Sequence, residues 1–219
     1  TEQVDILDKY MTVMWKDKHK SGQRITPKNF VGPSQFTLQI NNIVPNNETF
    51  HTPNIRKNYT VTEKADGDRK LLFIANNGKM YFINTNMVVE FTGAVSLNKL
   101  AFNTIIDGEH IKVNKKGDFI NIYAAFDLYY LNNVDTRSHA FAPTVDDEVD
   151  SKKKFRLLML SNVIKDVQAT SIMSKKSVIQ KSPVTFVTKR FYQDKKSQSI
   201  FEGCAAILQN VKDGNYDYE

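Results

Sequence analysis

The stretch from Asn58 to Asp127 constrains the fold most, because it divides into short segments rich in β-branched and aromatic residues. Turn signals separate these segments: Asn76-Asn77-Gly78, Asn84-Thr85-Asn86 and Lys115-Lys116-Gly117-Asp118. Asparagine and glycine tolerate the positive φ angles of tight hairpin turns, and strands joined by such turns pair antiparallel. We therefore predict an antiparallel sheet with strands over 58–64, 69–75, 79–84, 87–91, 104–113 and 119–127.

Three segments with helical spacing of apolar residues flank the predicted sheet. The spacing predicts helices over 3–16 and 199–211, and a third helix through Leu157, Leu160, Ile164 and Val167. Asp150 or Ser151, after the acidic loop at 146–148, is the expected N-cap of that third helix. Residues 184–187 predict one more strand. The fold class is therefore α+β, with residues 1–28 as an N-terminal helix and linker and residues 29–219 as the main domain.

Composition excludes several classes of protein. Of the 219 residues, 41% are hydrophobic and 25% are charged, and no apolar run approaches the ~20 residues of a membrane-spanning helix. Cys204, the single cysteine, excludes an internal disulfide framework and favours a reducing compartment. The first residues show no signal peptide. These features predict a soluble globular protein with no membrane partner.

The formal net charge of +6 is concentrated in one region. Between Asp150 and Lys196 the chain has twelve Lys or Arg against three Asp or Glu, whereas the remainder has eighteen against twenty-one. A basic face attracts nucleic acid or polyphosphate by releasing condensed counterions. Lysines that merely keep a domain soluble are the alternative, and charge alone leaves both interpretations open.

The run Thr62-Glu63-Lys64-Ala65-Asp66-Gly67-Asp68-Arg69 lies between two predicted strands. A lysine amine becomes a nucleophile when desolvation or a neighbouring cation releases its proton, and Arg69 or a bound metal ion would be that cation. Gly67 permits a tight turn or a close approach to a phosphate, and Asp66 can accept backbone hydrogen bonds within the loop. Taken alone, the run is also compatible with an ordinary charged turn, because these residue types are common in turns.

Two further motifs follow this run, and the three together resemble those of the covalent nucleotidyltransferases, which comprise mRNA capping guanylyltransferases and ATP-dependent DNA and RNA ligases. The superfamily motif Lys-x-Asp-Gly-x-Arg is matched at 64–69. Its later motifs are matched within Ile106-Asp107-Gly108-Glu109 and Tyr123-Ala124-Ala125-Phe126-Asp127-Leu128-Tyr129. The segment at which the chain of capping enzymes enters this domain is similar to the run Phe30-Val31-Gly32-Pro33-Ser34-Gln35-Phe36-Thr37-Leu38. The resemblance is closest to capping guanylyltransferases, and it implies an antiparallel-sheet domain of the ligase type, related to ATP-grasp folds.

The resemblance also implies a role for each motif residue. Lys64 would attack the α-phosphate of GTP and form a lysyl-GMP intermediate, and GMP would then pass to the 5′-diphosphate end of an RNA. Further residues would bind the nucleotide: Thr62 and Phe126 at the base, and Arg69 and Glu109 at the ribose. Mg²⁺ or Mn²⁺ would act as cofactor, with Glu109 helping to place the metal. Five residues would be structural: Asp66, Gly67, Asp107, Gly108 and Asp127.

The fourth and fifth motifs of the superfamily have no plain match in the chain. In the ligase form of the fourth motif, a Glu-Gly pair begins a buried strand. A similar run is present at Phe201-Glu202-Gly203-Cys204-Ala205-Ala206-Ile207. Apolar residues at 200, 201, 204, 207, 208 and 211 instead have helical spacing. We therefore expect the fourth motif to begin after Glu219, and the domain to be cut before its last strands.

Two other functions stay open at this point. One is an ATP-dependent DNA or RNA ligase adenylation domain, and the other is a non-catalytic RNA-binding module of the same fold. For a capping enzyme, the expected partners are GTP, the 5′ end of RNA, and triphosphatase and methyltransferase domains in the same or a partner chain. The Asn- and Lys-rich composition is similar to that of large DNA viruses, so the expected location is the cytoplasm, in a viral factory or virion, or the nucleus for a cellular protein.

Overall fold

A computed structural model of the chain describes residues 1–45, 52–144, 147, 154–193, 199–216 and 218. Across these residues three α-helices flank ten strands, as the predicted α+β class requires. The helices are α1 (Glu2–Trp15), α2 (Arg156–Asp166) and α3 (Ile200–Lys212). The strands are β1 (Thr60–Val61), β2 (Asp68–Ile74), β3 (Lys79–Asn84), β4 (Val89–Ser96), β5 (Thr104–Val113), β6 (Phe119–Leu131), β7 (Val134–Asp135), β8 (Ala169–Ser171), β9 (Thr185–Thr188) and β10 (Tyr192–Gln193).

The main sheet has the strand order β7-β6-β5-β2-β3-β4-β8, and all neighbours in that order pair antiparallel. Strand β9 departs from the predicted antiparallel arrangement, because it pairs in parallel with β6. A parallel neighbour needs a long crossover connection, and here the connection between β6 and β9 contains α2. Strands β1 and β10 form a separate two-stranded sheet.

Several predicted strands end at different residues in the structure. The predicted strand 58–64 shrinks to β1, because the chain leaves the sheet to form the loop that carries Lys64. The predicted strand 87–91 moves to β4, because Met87 has a φ of 62° and belongs to the turn. The Asn84 side chain holds that turn by accepting the backbone N–H groups of Asn86 and Val88, each at 2.9 Å. Strand β6 runs four residues beyond its predicted end at Asp127.

The main sheet is covered on both faces around β2, which explains why residues 71–74 form a continuous apolar run. Leu71 and Phe73 pack in a core with α1, whereas Leu72 and Ile74 face a second core with α2. Alternate residues of a strand point to opposite faces, so one strand contributes to both cores. Helix α1 thus packs directly on the sheet that carries the motif residues.

The helix predictions are confirmed at both ends of the chain, and one predicted cap is wrong. Helix α2 begins at Arg156 with Phe155 in the N-cap position, whereas Asp150 and Ser151, like most of the acidic loop, lie outside the described residues. Helix α3 places Glu202 in its first turn, so this stretch is a helix rather than a buried strand. None of the helices in the described part of the chain combines the length and apolar character needed to cross a bilayer.

Candidate nucleotide-binding site

A cavity of about 590 Å³ opens beside the loop between β1 and β2. All five residues predicted to react with or bind the nucleotide line it, together with the predicted structural residue Asp127. The five are Thr62, Lys64, Arg69, Glu109 and Phe126. They come from the β1–β2 loop and from three strands, so the fold brings together residues that are far apart in sequence.

The candidate nucleophile Lys64 is open to solvent, with a side chain that is 88% exposed. Its Nζ donates a hydrogen bond of 2.9 Å to Asp66 Oδ1. This bond and the charge of Asp66 raise the pKa of Lys64 and lower that of Asp66. The sequence predicted a backbone-tying role for Asp66 and a cation beside Lys64, but the structure places the Asp66 carboxylate against the ammonium. Lys64 is therefore protonated in the free site.

Glycine at 67 lets the loop between β1 and β2 close onto the sheet. A Cβ at Gly67 would lie 2.4 Å from the carbonyl oxygen of His110 in β5. Beneath the loop, Ala65 packs against Ile111 and Ala124 in a small buried cluster. Two small residues that follow Lys64 thus let the loop lie against β5.

Arg69 is held by a buried carboxylate. Its Nη2 and Nε donate to the two oxygens of Asp107 at 2.6 and 3.2 Å, and Tyr129 also donates to Asp107 Oδ2 at 2.6 Å. Asp107 is fully buried, and burial raises its pKa against the lowering effect of Arg69 and Tyr129. A bidentate pair of this kind fixes the plane of the guanidinium. The structure thus places Asp107 as the support of Arg69.

Residues 30–35 form a strap across Arg69. The Arg69 guanidinium donates through Nη1 to the carbonyl oxygen of Pro33 at 2.8 Å, and it lies 5.1 Å from the Phe30 ring centroid. A Cβ at Gly32 would lie 2.4 Å from Arg69 Nη2 and 2.8 Å from Asp107 Oδ2. The strap can pass this close only because residue 32 has no side chain. It forms one wall of the cavity with Pro33 and two neighbours, Ser34 and Gln35.

Glu109 lies directly opposite Arg69 in the pairing of β5 with β2, so the two side chains share one face of the sheet. Burial raises the pKa of the Glu109 carboxyl, while Lys189, the Gly67 N–H and Lys64 act in the opposite direction. No group of three or more His, Cys, Asp or Glu forms a metal cluster among the described residues. Mg²⁺ is commonly held by one or two carboxylates plus substrate phosphates. Glu109, a partly buried carboxylate on the cavity wall, fits that mode of binding.

The two residues of the aromatic-Asp motif have different environments. Phe126 is half-buried on the cavity wall, with the cationic groups of Arg69 and Lys189 each 5.9 Å from its ring centroid. Asp127 accepts a hydrogen bond of 2.9 Å from Arg156 Nε at the start of α2. Asp127 therefore links β6 to α2.

Gly108 is a packing position. A Cβ there would lie 2.5 Å from Cζ of the fully buried Tyr123. The Tyr123 hydroxyl crosses Gly108 and donates to the carbonyl oxygen of Lys70 at 2.8 Å. A side chain at 108 would displace this ring from the core between β2, β5 and β6.

Sequence reasoning missed Lys189, which counted only as part of the basic region. The pairing of β9 with β6 continues through the Lys189 N–H, which donates to the Ala125 carbonyl at 2.8 Å and sets Lys189 beside Phe126. The Lys189 side chain is 7% exposed, and its Nζ donates to the Glu63 carbonyl oxygen at 2.6 Å. Burial lowers the pKa of this lysine. A lysine two residues after the predicted strand at 184–187 was the available signal.

The chain is similar to mRNA capping enzymes. The family model described as "mRNA capping enzyme, catalytic domain" matches residues 54–215. A "Probable mRNA-capping enzyme" of Acanthamoeba polyphaga mimivirus is 30% identical over 127 residues, which cover 58% of this chain and 10% of the viral protein. The matched part thus spans about a tenth of that relative's length. The matched residues of the family model include the three motifs and Lys189, whereas the strap at 30–35 lies before them.

Proposed function

The chain belongs to the family of mRNA capping enzyme catalytic domains, and from that premise we propose that it transfers GMP from GTP to the 5′-diphosphate end of an RNA through a covalent intermediate on Lys64. The observation that carries this proposal is the single cavity lined by Thr62, Lys64, Arg69, Glu109 and Phe126. A nucleotidyl transferase needs a nucleophile, a base platform and phosphate-facing charges around one bound nucleotide.

In the first step, the Lys64 amine attacks the α-phosphorus of GTP. A P–N bond forms and the nitrogen releases a second proton to solvent, while the bond from the α-phosphorus to the bridging oxygen breaks and pyrophosphate leaves with the electron pair. Lys64 must first lose a proton and leave Asp66, and the pair they form is exposed enough to exchange readily. In the second step, a β-phosphate oxygen of the RNA attacks the same phosphorus, and the P–N bond breaks as the lysine amine leaves and regains a proton.

The walls of the cavity fit the remaining parts of GTP. Phe126 offers a half-buried ring face for the base. Arg69 and Glu109 offer a fixed donor group and an acceptor for the ribose hydroxyls. Mg²⁺ or Mn²⁺, bound by Glu109 and the phosphates, would neutralise the phosphate charge.

Lys189 favours guanine over adenine at this platform. Guanine presents two acceptors, O6 and N7, on one edge, whereas adenine presents an amino donor in place of O6. The buried ammonium of Lys189 has donors only, and it lies beside the Phe126 ring. This argument supports a guanylyltransferase over an adenylating ligase. A non-catalytic RNA-binding module would not need this set of residues around one cavity.

The test is covalent labelling of the full-length protein with GTP and a divalent metal, read by intact mass. We expect one GMP adduct, acid-labile and alkali-stable, that is absent in Lys64→Arg, because arginine stays protonated and offers no free amine. Lys115→Arg is the matched control, since Lys115 is an exposed lysine whose charge acts on Asp66. Labelling of the Lys64→Arg variant, or labelling by ATP in place of GTP, would contradict the proposal.

A further inference from the structure

We infer that Glu63 is a positioning residue for guanine selectivity, because its buried carboxylate holds Lys189 and Thr62 at the base-binding end of the cavity. The inference rests on the proposed function, since it concerns how that site distinguishes GTP from ATP. Neither the motif resemblance nor the comparisons assign a role to Glu63, although it directly precedes the candidate nucleophile.

The Glu63 side chain turns away from solvent and is 1% exposed. Donors surround its carboxylate. The Tyr218 hydroxyl donates to Oε1, and Thr62 Oγ1 lies 2.9 Å from Oε2. Lys189 Nζ lies 3.8 Å from Oε1 and donates to the Glu63 backbone carbonyl at 2.6 Å. Residues from the β1–β2 loop, from the segment just after β9 and from the turn at Tyr218 thus meet at one carboxylate.

Glu63 and Lys189 are close together, and both side chains are more than nine-tenths buried. A buried charge without a partner is strongly unfavourable, and the charge of Glu63 favours the charged form of Lys189. Glu109 also attracts Lys189, and Lys64 repels it. Without the negative charge at 63, the Lys189 ammonium would be drawn toward Glu109 and away from the base platform.

Thr62 is tied to the same carboxylate. Its hydroxyl has one proton, and the oxygen lies 2.7 Å from the Arg190 carbonyl oxygen and 2.9 Å from Glu63 Oε2. The carboxylate therefore helps to fix the orientation of a hydroxyl on the cavity wall. Glu63 thus acts on the base through two residues and touches no part of the nucleotide itself.

The test compares adduct formation with GTP, ITP and ATP in the full-length protein and three variants. Glu63→Gln keeps the shape of the side chain and removes its charge, so we expect the preference for GTP over ATP to fall on the order of tenfold, mainly through KM for GTP. ITP shares O6 and N7 with GTP, so its labelling is expected to fall in parallel. Lys189→Met should show the same loss, and the double variant should lose no more than Lys189→Met alone.

Tyr218→Phe is the matched structural control. It removes a hydrogen bond from the same carboxylate but leaves the charge in place, so we expect a lower unfolding temperature and a GTP-to-ATP preference within about twofold of the native value. Equal loss of GTP and ATP labelling in Glu63→Gln would overturn the inference, and so would fully additive effects of Glu63→Gln and Lys189→Met.

A double-mutant cycle of Thr62→Val and Lys189→Met tests the inference with Glu63 in place, in case the Glu63→Gln variant does not fold. If one carboxylate positions both side chains, the selectivity losses of Thr62→Val and Lys189→Met are coupled, and their simple addition would overturn the inference. Absence of any GMP adduct in the native protein would instead count against the proposed function, so the two failures are distinguishable.

Discussion

Gly32→Ala is the sharpest test of how the cavity is built, because it adds one carbon atom at a crowded point outside the motifs. The new Cβ would lie 2.4 Å from Arg69 Nη2, 2.6 Å from Phe30 Cε1 and 2.8 Å from Asp107 Oδ2. Ordinary contacts begin near 3.4 Å, so the strap or the guanidinium must move by about 1 Å. Asp107 is buried and pinned by Tyr129 and cannot give way.

The magnitude follows from what that movement breaks. Losing one of the two hydrogen bonds between Arg69 and Asp107 costs about 1.5–3 kcal/mol. For a chain of this length, each kcal/mol lowers the unfolding temperature by roughly 2–4 °C. A misplacement of about 1 Å at a site can lower the reaction rate on the order of a hundredfold. We therefore expect a variant that folds but labels Lys64 far more slowly.

The assay is the rate of GMP adduct formation beside a thermal unfolding curve, with Ser34→Ala on the same strap as the control. Ser34 lines the cavity next to Pro33, and its truncation adds no atoms to the crowded point. Labelling by Gly32→Ala within about threefold of the native rate would refute the claim that the strap and Arg69 are fitted to each other. A Ser34→Ala variant that is equally slow would refute the claim that the clash is the cause.

Three further predictions concern titratable groups. Glu109→Ala should lower adduct formation at least about tenfold, whereas Glu202→Ala, in the first turn of α3, should change it little. A large loss in Glu202→Ala with little loss in Glu109→Ala would instead favour the ligase form of the fourth motif at Glu202. Asp66→Asn removes the carboxylate that raises the pKa of the nucleophile, so the pH at which labelling is half-maximal should move down, and an unchanged pH profile would contradict this. His110 accepts a hydrogen bond of 3.0 Å from the Lys70 ammonium, and burial lowers its pKa. Since the unfolded chain then takes up the proton first, the free energy of unfolding should fall as the pH drops below about 6.5, and a flat profile from pH 8 to 5 would contradict it.

The sequence by itself determined the local elements of this protein. Strands β3 and β5 begin and end at the predicted residues; hairpin turns lie on both sides of β3, and one follows β5. The helical period of residues 200–211 correctly excluded a buried strand at Glu202. The motifs correctly identified residues that line one cavity, but the pairing of β2 with β5, which are not consecutive strands, is what brings Arg69 beside Glu109.

Only the tertiary structure decided what surrounds those residues. Lys189 reaches the cavity through the parallel pairing of β9 with β6, and its hydrogen bond to Glu63 spans 126 positions of the chain. Two further contacts also join distant parts of the chain: Gly32 with Arg69, 37 positions apart, and Tyr218 with Glu63, 155 positions apart. Periodicity and turn chemistry report only interactions between near neighbours in the chain. Contacts between distant segments leave no such local pattern, because packing of the finished sheet and helices selects them.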